Sequence, residues 1–309
     1  MDQHPPFPGT PPLGGPPAER GGNILQRMHP LAFAAIVLVV VFFLYQVVAG
    51  LAVLLLFRGT VTEENVDLVR WSTLVGQVLC ILVPALLFGR LRFGRLREAL
   101  QIRFPRGREI IATVVAVFAL QQVLQAYMML QQSIPLPEQI QEFVDLIEDL
   151  FEKTYRTLVT ARSPLEFVFV VITVALVPAL AEETLFRGVV QRSIGEATGG
   201  LRAAVISGII FGAYHLNPLS IVPLIALGVF FGYIVYRSRN LSLALSAHFF
   251  NNFLACAAAY FRLDEDFIAL APGGDASPAI VALNALLFAL VFLAATSYFA
   301  VFTGSKSPE

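Results

Sequence analysis

The chain has 309 residues, 57% of them hydrophobic and 14% charged, with 21 Lys and Arg against 22 Asp and Glu for a net charge of −1. A charged fraction well under the roughly 25% of soluble domains excludes an ordinary water-soluble globular fold, and the near-neutral balance gives no electrostatic footprint for nucleic acid. The apolar residues come in blocks of about the 20 that a helix needs to cross a bilayer, which predicts an all-α, polytopic transmembrane helical bundle.

Residues 1–29 are rich in proline and glycine and have little apolar surface to bury, so they are expected to form a disordered cytoplasmic tail; His4 and His29 carry no visible chemistry there. The apolar run from Leu31 to Leu56 is longer than that of a cleaved signal peptide and reads as a retained helix. Further spans are expected at about 71–88, 109–130, 167–192, 203–216, 221–236, 241–261 and 279–303, eight in all. The fifth and sixth are short, and Pro218 breaks the chain between them. Cys80 and Cys256 fall inside spans, which gives no disulfide framework.

Seven arginines between residues 89 and 108 (Arg90, Arg92, Arg95, Arg97, Arg103, Arg106, Arg108) mark that loop as cytoplasmic. Alternation from there places both termini inside, with Arg192, Arg202, Arg237, Arg239 and Lys306 on the same side. Glu63, Glu64, Asp67, the acidic 138–152 segment and Asp264–Asp266 then lie outside. Between spans three and four, at about 136–160, Ile140, Phe143, Val144, Ile147, Leu150, Phe151, Tyr155 and Leu158 recur at helical spacing opposite an acidic face. They predict an amphipathic helix on the outer surface or capping the bundle. Gly208/Gly212 and Gly228/Gly232 are GxxxG pairs that allow close helix approach, and Gln121, Gln122 and Gln125 read as interhelical hydrogen-bonding groups.

The stretch Leu176–Arg192 stands apart. Glu182 and Glu183 are the acidic residues that lie deep in a span, and ionisable groups at that depth mark function by default. Arg187, four residues on, can pair with Glu183, while Glu182 points about 100° away and has no partner of its own. His215 and His248 are the deep histidines, and Asn252 shares a face with His248. Counted from the cytoplasmic helix ends, Glu182 lies about 15 Å in, His215 about 20 Å, His248 about 14 Å and Asn252 about 20 Å. Three helices therefore bring costly polar groups to one level, and a proton relay or a hydrolytic site would each account for them.

In order, the motifs EExxxR (Glu182 to Arg187), FxxxH (Phe211 to His215) and HxxxN (His248 to Asn252) resemble those of the CPBP intramembrane proteases. That family includes the type II CAAX prenyl endopeptidases and bacteriocin-processing relatives. The resemblance covers roughly residues 165–260. Together with the apolar pattern, it divides the chain into a tail (1–29), N-terminal transmembrane helices (30–164), a CPBP-like core (165–261) and a C-terminal loop with a last helix (262–309), of which only the core is covered by the resemblance. It implies that Glu182 and His215 activate a water, that His248 and Asn252 stabilise the oxyanion, and that Glu183 and Arg187 orient the glutamate helix. It also implies a multi-pass protein of a bacterial inner membrane, whose partners are the lipid bilayer and a peptide or protein substrate such as a CAAX-type tail or a leader peptide.

Glu182, His215 and His248 also form a plausible zinc set. However, the chain has no H-E-x-x-H, and using Glu182 as a ligand leaves Glu183 as the general base, so no cofactor is expected and a divalent metal is the alternative. Two other readings stay open at this level: a proton-coupled transporter, and a non-catalytic immunity or scaffold protein.

Overall fold

The computed structural model describes residues 23–58, 61–96, 100–263 and 278–303. The expectations for residues 1–22, Arg97, Asp264–Asp266 and Lys306 lie outside them. The described residues form helices and connecting turns: α1 Ile24–Arg27, α2 Pro30–Phe57, α3 Val66–Phe93, α4 Gly107–Gln132, α5 Glu138–Val159, α6 Pro164–Thr198, α7 Gly200–Tyr214, α8 Ile221–Ser238, α9 Leu241–Phe261 and α10 Ala279–Thr303. Seven of them are long and apolar enough to cross a membrane, and the protein is an integral multi-pass membrane protein. The fifth predicted span, 203–216, is α7, whose 15 residues reach about 22 Å, less than the ~30 Å hydrocarbon core. It stops at Tyr214 because Leu216 turns to a positive φ of 53° and Asn217 precedes Pro218, a position that disfavours helix.

The long helix α6 is the axis of the bundle. Two stretches of π-helix, Val171–Leu176 and Thr184–Gln191, flank the α-helical turns that carry the two glutamates. Pro178 gives the first a cause: its ring crowds the preceding turn and it has no N–H for the carbonyl of Val174. A widened turn just upstream makes room. The same device recurs in α3, where the π-turn Val78–Leu82 precedes Pro84.

Two cores pack around this axis. Phe33, Val37 and Val41 of α2 are buried against Ala181, Leu185, Phe186, Val189 and Val190 of α6. On the other side Ala116, Val117 and Leu120 of α4 pack with Phe230, Phe231 and Ile234 of α8 and with Leu243, Ala244 and Ala247 of α9. Helices α7 and α8 meet along their glycines: a Cβ at Gly228 would sit 2.7 Å from the Gly208 carbonyl oxygen, so a side chain there would force the helices apart.

The amphipathic helix is α5. Val144, Ile147 and Leu158 are half-buried, whereas Phe143 and Leu150 are exposed. Its C-terminal end is held by Arg70 of α3, which is 1% exposed. Arg70 donates to the carbonyls of Thr157, Leu158 and Thr160, to Asp67 at 2.9 Å and to Glu166 at 2.8 Å, so one guanidinium ties α3, the end of α5 and the start of α6. Cations suit a helix C-terminus, and here the charge is also paired. Arg70→Met is expected to destabilise the protein by about 3 kcal/mol, because it strands a carboxylate and several carbonyls. A thermal-unfolding series in detergent micelles checks this, with an unchanged midpoint as the contrary result.

Candidate functional site

Glu183 is fully buried on α6. Its Oε1 accepts from Nη1 of Arg187 at 2.8 Å and lies 2.8 Å from Nδ1 of His248 on α9. Arg187 also donates through Nη2 to the carbonyl of Gly228 at 2.8 Å, and Gln191, one turn later, donates to that of Gly232 at 2.9 Å. Two side chains four apart on α6 thus bond two carbonyls four apart on α8. Glycine at 232 has a steric reason as well, since a Cβ there would sit 2.9 Å from Oε1 of Gln191. The Arg187 guanidinium lies 4.6 Å from the ring centre of Phe211 and 5.5 Å from that of Phe231. Aromatic faces and the carboxylate together offset the cost of burying this cation.

Phe231 also stacks on the His248 imidazole, with centroids 5.3 Å apart and planes at 23°. With Nδ1 held by Glu183, the ring presents Nε2 as its free nitrogen.

Glu182 pairs differently. Its Oε2 lies 3.8 Å from Nε2 of His215, too far for a direct hydrogen bond, and that oxygen is buried with no partner. Nδ1 of His215 lies 2.8 Å from the carbonyl of Phe211, which can only accept; the ring therefore donates from Nδ1 and, when neutral, has a lone pair on Nε2 toward Glu182. Both side chains keep some exposure, 32% for His215 and 16% for Glu182, whereas Glu183 is sealed off; Oε2 of Glu182 is itself covered. A water beside the pair can bond both groups and satisfy the orphaned oxygen.

Asn252 sits in a chain of amides. Gln121 of α4 donates to Oδ1 of Asn251 at 3.0 Å, and Asn251 donates to Oδ1 of Asn252 at 3.0 Å. Asn252 in turn donates to the carbonyl of Val174 at 3.2 Å, the carbonyl that Pro178 leaves without its usual helical donor. This chain sets which end of the Asn252 amide carries the N–H groups, with one N–H committed to Val174 and one remaining.

The residues expected at one level are held by different partners. Glu182 meets His215, Glu183 joins Arg187 and His248, and Asn252 reaches α6 at Val174. The bond from His248 to Glu183, the stacking of Phe231 and the roles of Gln191 and Asn251 go beyond what spacing gave. For Gln191 a signal existed, since it shares a helical face with Arg187. Among the described residues no group of three or more His, Cys, Asp or Glu side chains is gathered as a metal ion would need. His248 turns Nδ1 to Glu183, which leaves Nε2 as its other ring nitrogen.

Residues 164–254 match a family model described as Type II CAAX prenyl endopeptidase Rce1-like. This is a protease family, and the matched segment runs from the start of α6 into α9, taking in all three motifs. The match agrees with the resemblance to CPBP intramembrane proteases. Neither the curated proteins nor the solved structures gave a match.

Removing the buried cation should be more damaging than removing its outer neighbour. Arg187→Met leaves the Glu183 carboxylate buried with only His248 beside it and is expected to cost about 3–5 kcal/mol. Gln191→Met loses one neutral hydrogen bond and is expected to cost about 1 kcal/mol. Chemical or thermal unfolding in micelles measures both, and equal losses would contradict the ranking.

Proposed function

We propose that this protein is an intramembrane endopeptidase that hydrolyses a peptide bond with a water activated by Glu182 and His215. The observation that carries this reading is the 3.8 Å Glu182–His215 pair with its orphaned carboxylate oxygen, inside a segment that matches a protease family.

In this reading the water sits between Oε2 of Glu182 and the lone pair on Nε2 of His215. Glu182 takes one of its protons as the oxygen adds to the scissile carbonyl carbon. The carbonyl π pair moves onto oxygen, and this oxyanion takes hydrogen bonds from the remaining N–H of Asn252 and from Nε2 of His248. His248 can donate there only with a proton on Nε2, since its Nδ1 is engaged with Glu183. Collapse of the tetrahedral adduct breaks the C–N bond, and the proton held by Glu182 passes to the departing amine. Glu183 and Arg187 touch none of the reacting atoms; they fix the His248 ring and the spacing of α6 and α8. Each step uses only groups of this chain and water, and none is routed through a metal.

In this reading the site is within reach of the cytosolic side, which the arginine-rich 89–108 loop supports, and the membrane is the bacterial inner membrane that the family resemblance implies. Substrates are then membrane-anchored peptides entering from that face, with prenylated CAAX-type tails as the first class to try and leader peptides as the second. Against internally quenched peptides of both kinds, Glu182→Gln is expected to lower cleavage at least about 100-fold while expression and membrane insertion persist. Addition of chelator is expected to leave the wild-type rate unchanged. Retained turnover in Glu182→Gln, or loss in chelator with recovery in zinc, would overturn the reading.

A further inference from the structure

The last four carbonyls of an α-helix have no donor in the next turn. In α7 these belong to Phe211, Gly212, Ala213 and Tyr214, and each has an identifiable partner. The carbonyl of Phe211 accepts from Nδ1 of His215 at 2.8 Å. That of Gly212 accepts from the backbone N–H of His215 at 3.3 Å, and that of Ala213 from the N–H of Leu216 at 3.3 Å. The fourth donor comes from elsewhere in the chain: Nε2 of Gln46, on α2, reaches the carbonyl of Tyr214 at 2.9 Å.

His215 is therefore attached to a peptide group whose carbonyl is held by another helix. Its ring hangs from the same helix end, because Nδ1 closes on Phe211. Beyond it the chain turns at once to the positive φ of Leu216, so no following helical turn steadies this backbone. Gln46 lies in the π-turn Phe43–Ala49 of α2, well outside the segment that matches the protease family. A second bond runs the opposite way between the same helices, from the Tyr214 hydroxyl to the carbonyl of Leu38 at 2.7 Å, and Phe42 packs edge-on against the Tyr214 ring.

We propose that Gln46 is a positioning residue for His215: it caps the end of α7 and holds Nε2 of His215 at its working distance from Glu182. The inference rests on the hydrolytic reading above and adds that α2 is part of the working site. The Tyr214 hydroxyl provides an internal control, since it ties α2 to α7 without touching the carbonyl beside His215.

The test measures kcat, KM and thermal midpoint for full-length protein in micelles, using whichever quenched peptide the wild type cleaves. Gln46→Met keeps the length and removes the donor. It is expected to lower kcat about 10–100-fold, as a small misplacement of a reacting group does, with KM within about twofold of wild type. Gln46→Asn keeps the amide but falls short of the carbonyl, and an intermediate kcat is expected; it carries the test if the methionine variant does not insert. Tyr214→Phe is expected to keep kcat within about threefold of wild type while lowering the thermal midpoint. Wild-type kcat in both Gln46 variants overturns the proposal, as does a Tyr214→Phe loss as large as that of Gln46→Met, which would mean that α2 merely supports the fold. If Glu182→Gln in the same assay cleaves like wild type, the hydrolytic reading fails first, and that result is distinct from either outcome for Gln46.

Discussion

The site depends on one buried cation. The Arg187 guanidinium is bonded at once to a carboxylate on its own helix and to a backbone carbonyl of α8, inside a wall of phenylalanine rings. An arginine at this depth is tolerable only if it is paired, and its partner is tolerable only for the same reason. The pair therefore fixes α6 against α8. Because Glu183 shares its Oε1 with His248, it fixes α9 as well. Glu182, the next residue back, is turned away from this sealed cluster toward His215. Two adjacent carboxylates thus have different surroundings because the helix points them in different directions.

Backbone chemistry sets the rest of the geometry. Pro178 withholds a donor from Val174, and Asn252 supplies one, so the proline and the asparagine belong to one device. Glycines at 228 and 232 let Arg187 and Gln191 reach the carbonyls of α8. The helix end at Tyr214 leaves carbonyls open, and His215 and Gln46 close two of them. In each case an unsatisfied backbone group, costly inside a membrane, locates a side chain more firmly than packing alone would.

Much of this was legible in the sequence, for a physical reason. Charged residues are so disfavoured within spans that Glu182, Glu183 and Arg187 stood out, and the four-residue spacing of Glu183 and Arg187 matches the ion pair found. The apolar blocks gave the helices, and the acidic face at 136–160 gave α5. Cross-helix partners were not legible. Whether His248 turns to Glu183 or to the Glu182–His215 pair depends on helix rotation and tilt, which apolar lengths do not determine. Gln46, Arg70 and Asn251 were hidden for another reason: an isolated amide or a membrane-flanking arginine has an ordinary explanation, and only the fold shows that Gln46 meets a helix end and Arg70 joins three elements.

The most direct test of the account is a high-resolution structure of the wild-type protein in a lipid environment, with anomalous data at the zinc edge. The account predicts one ordered water bonded to both Oε2 of Glu182 and Nε2 of His215, and no anomalous peak near it. A metal ion at that point, or a direct contact between the two side chains with the water excluded, would contradict it.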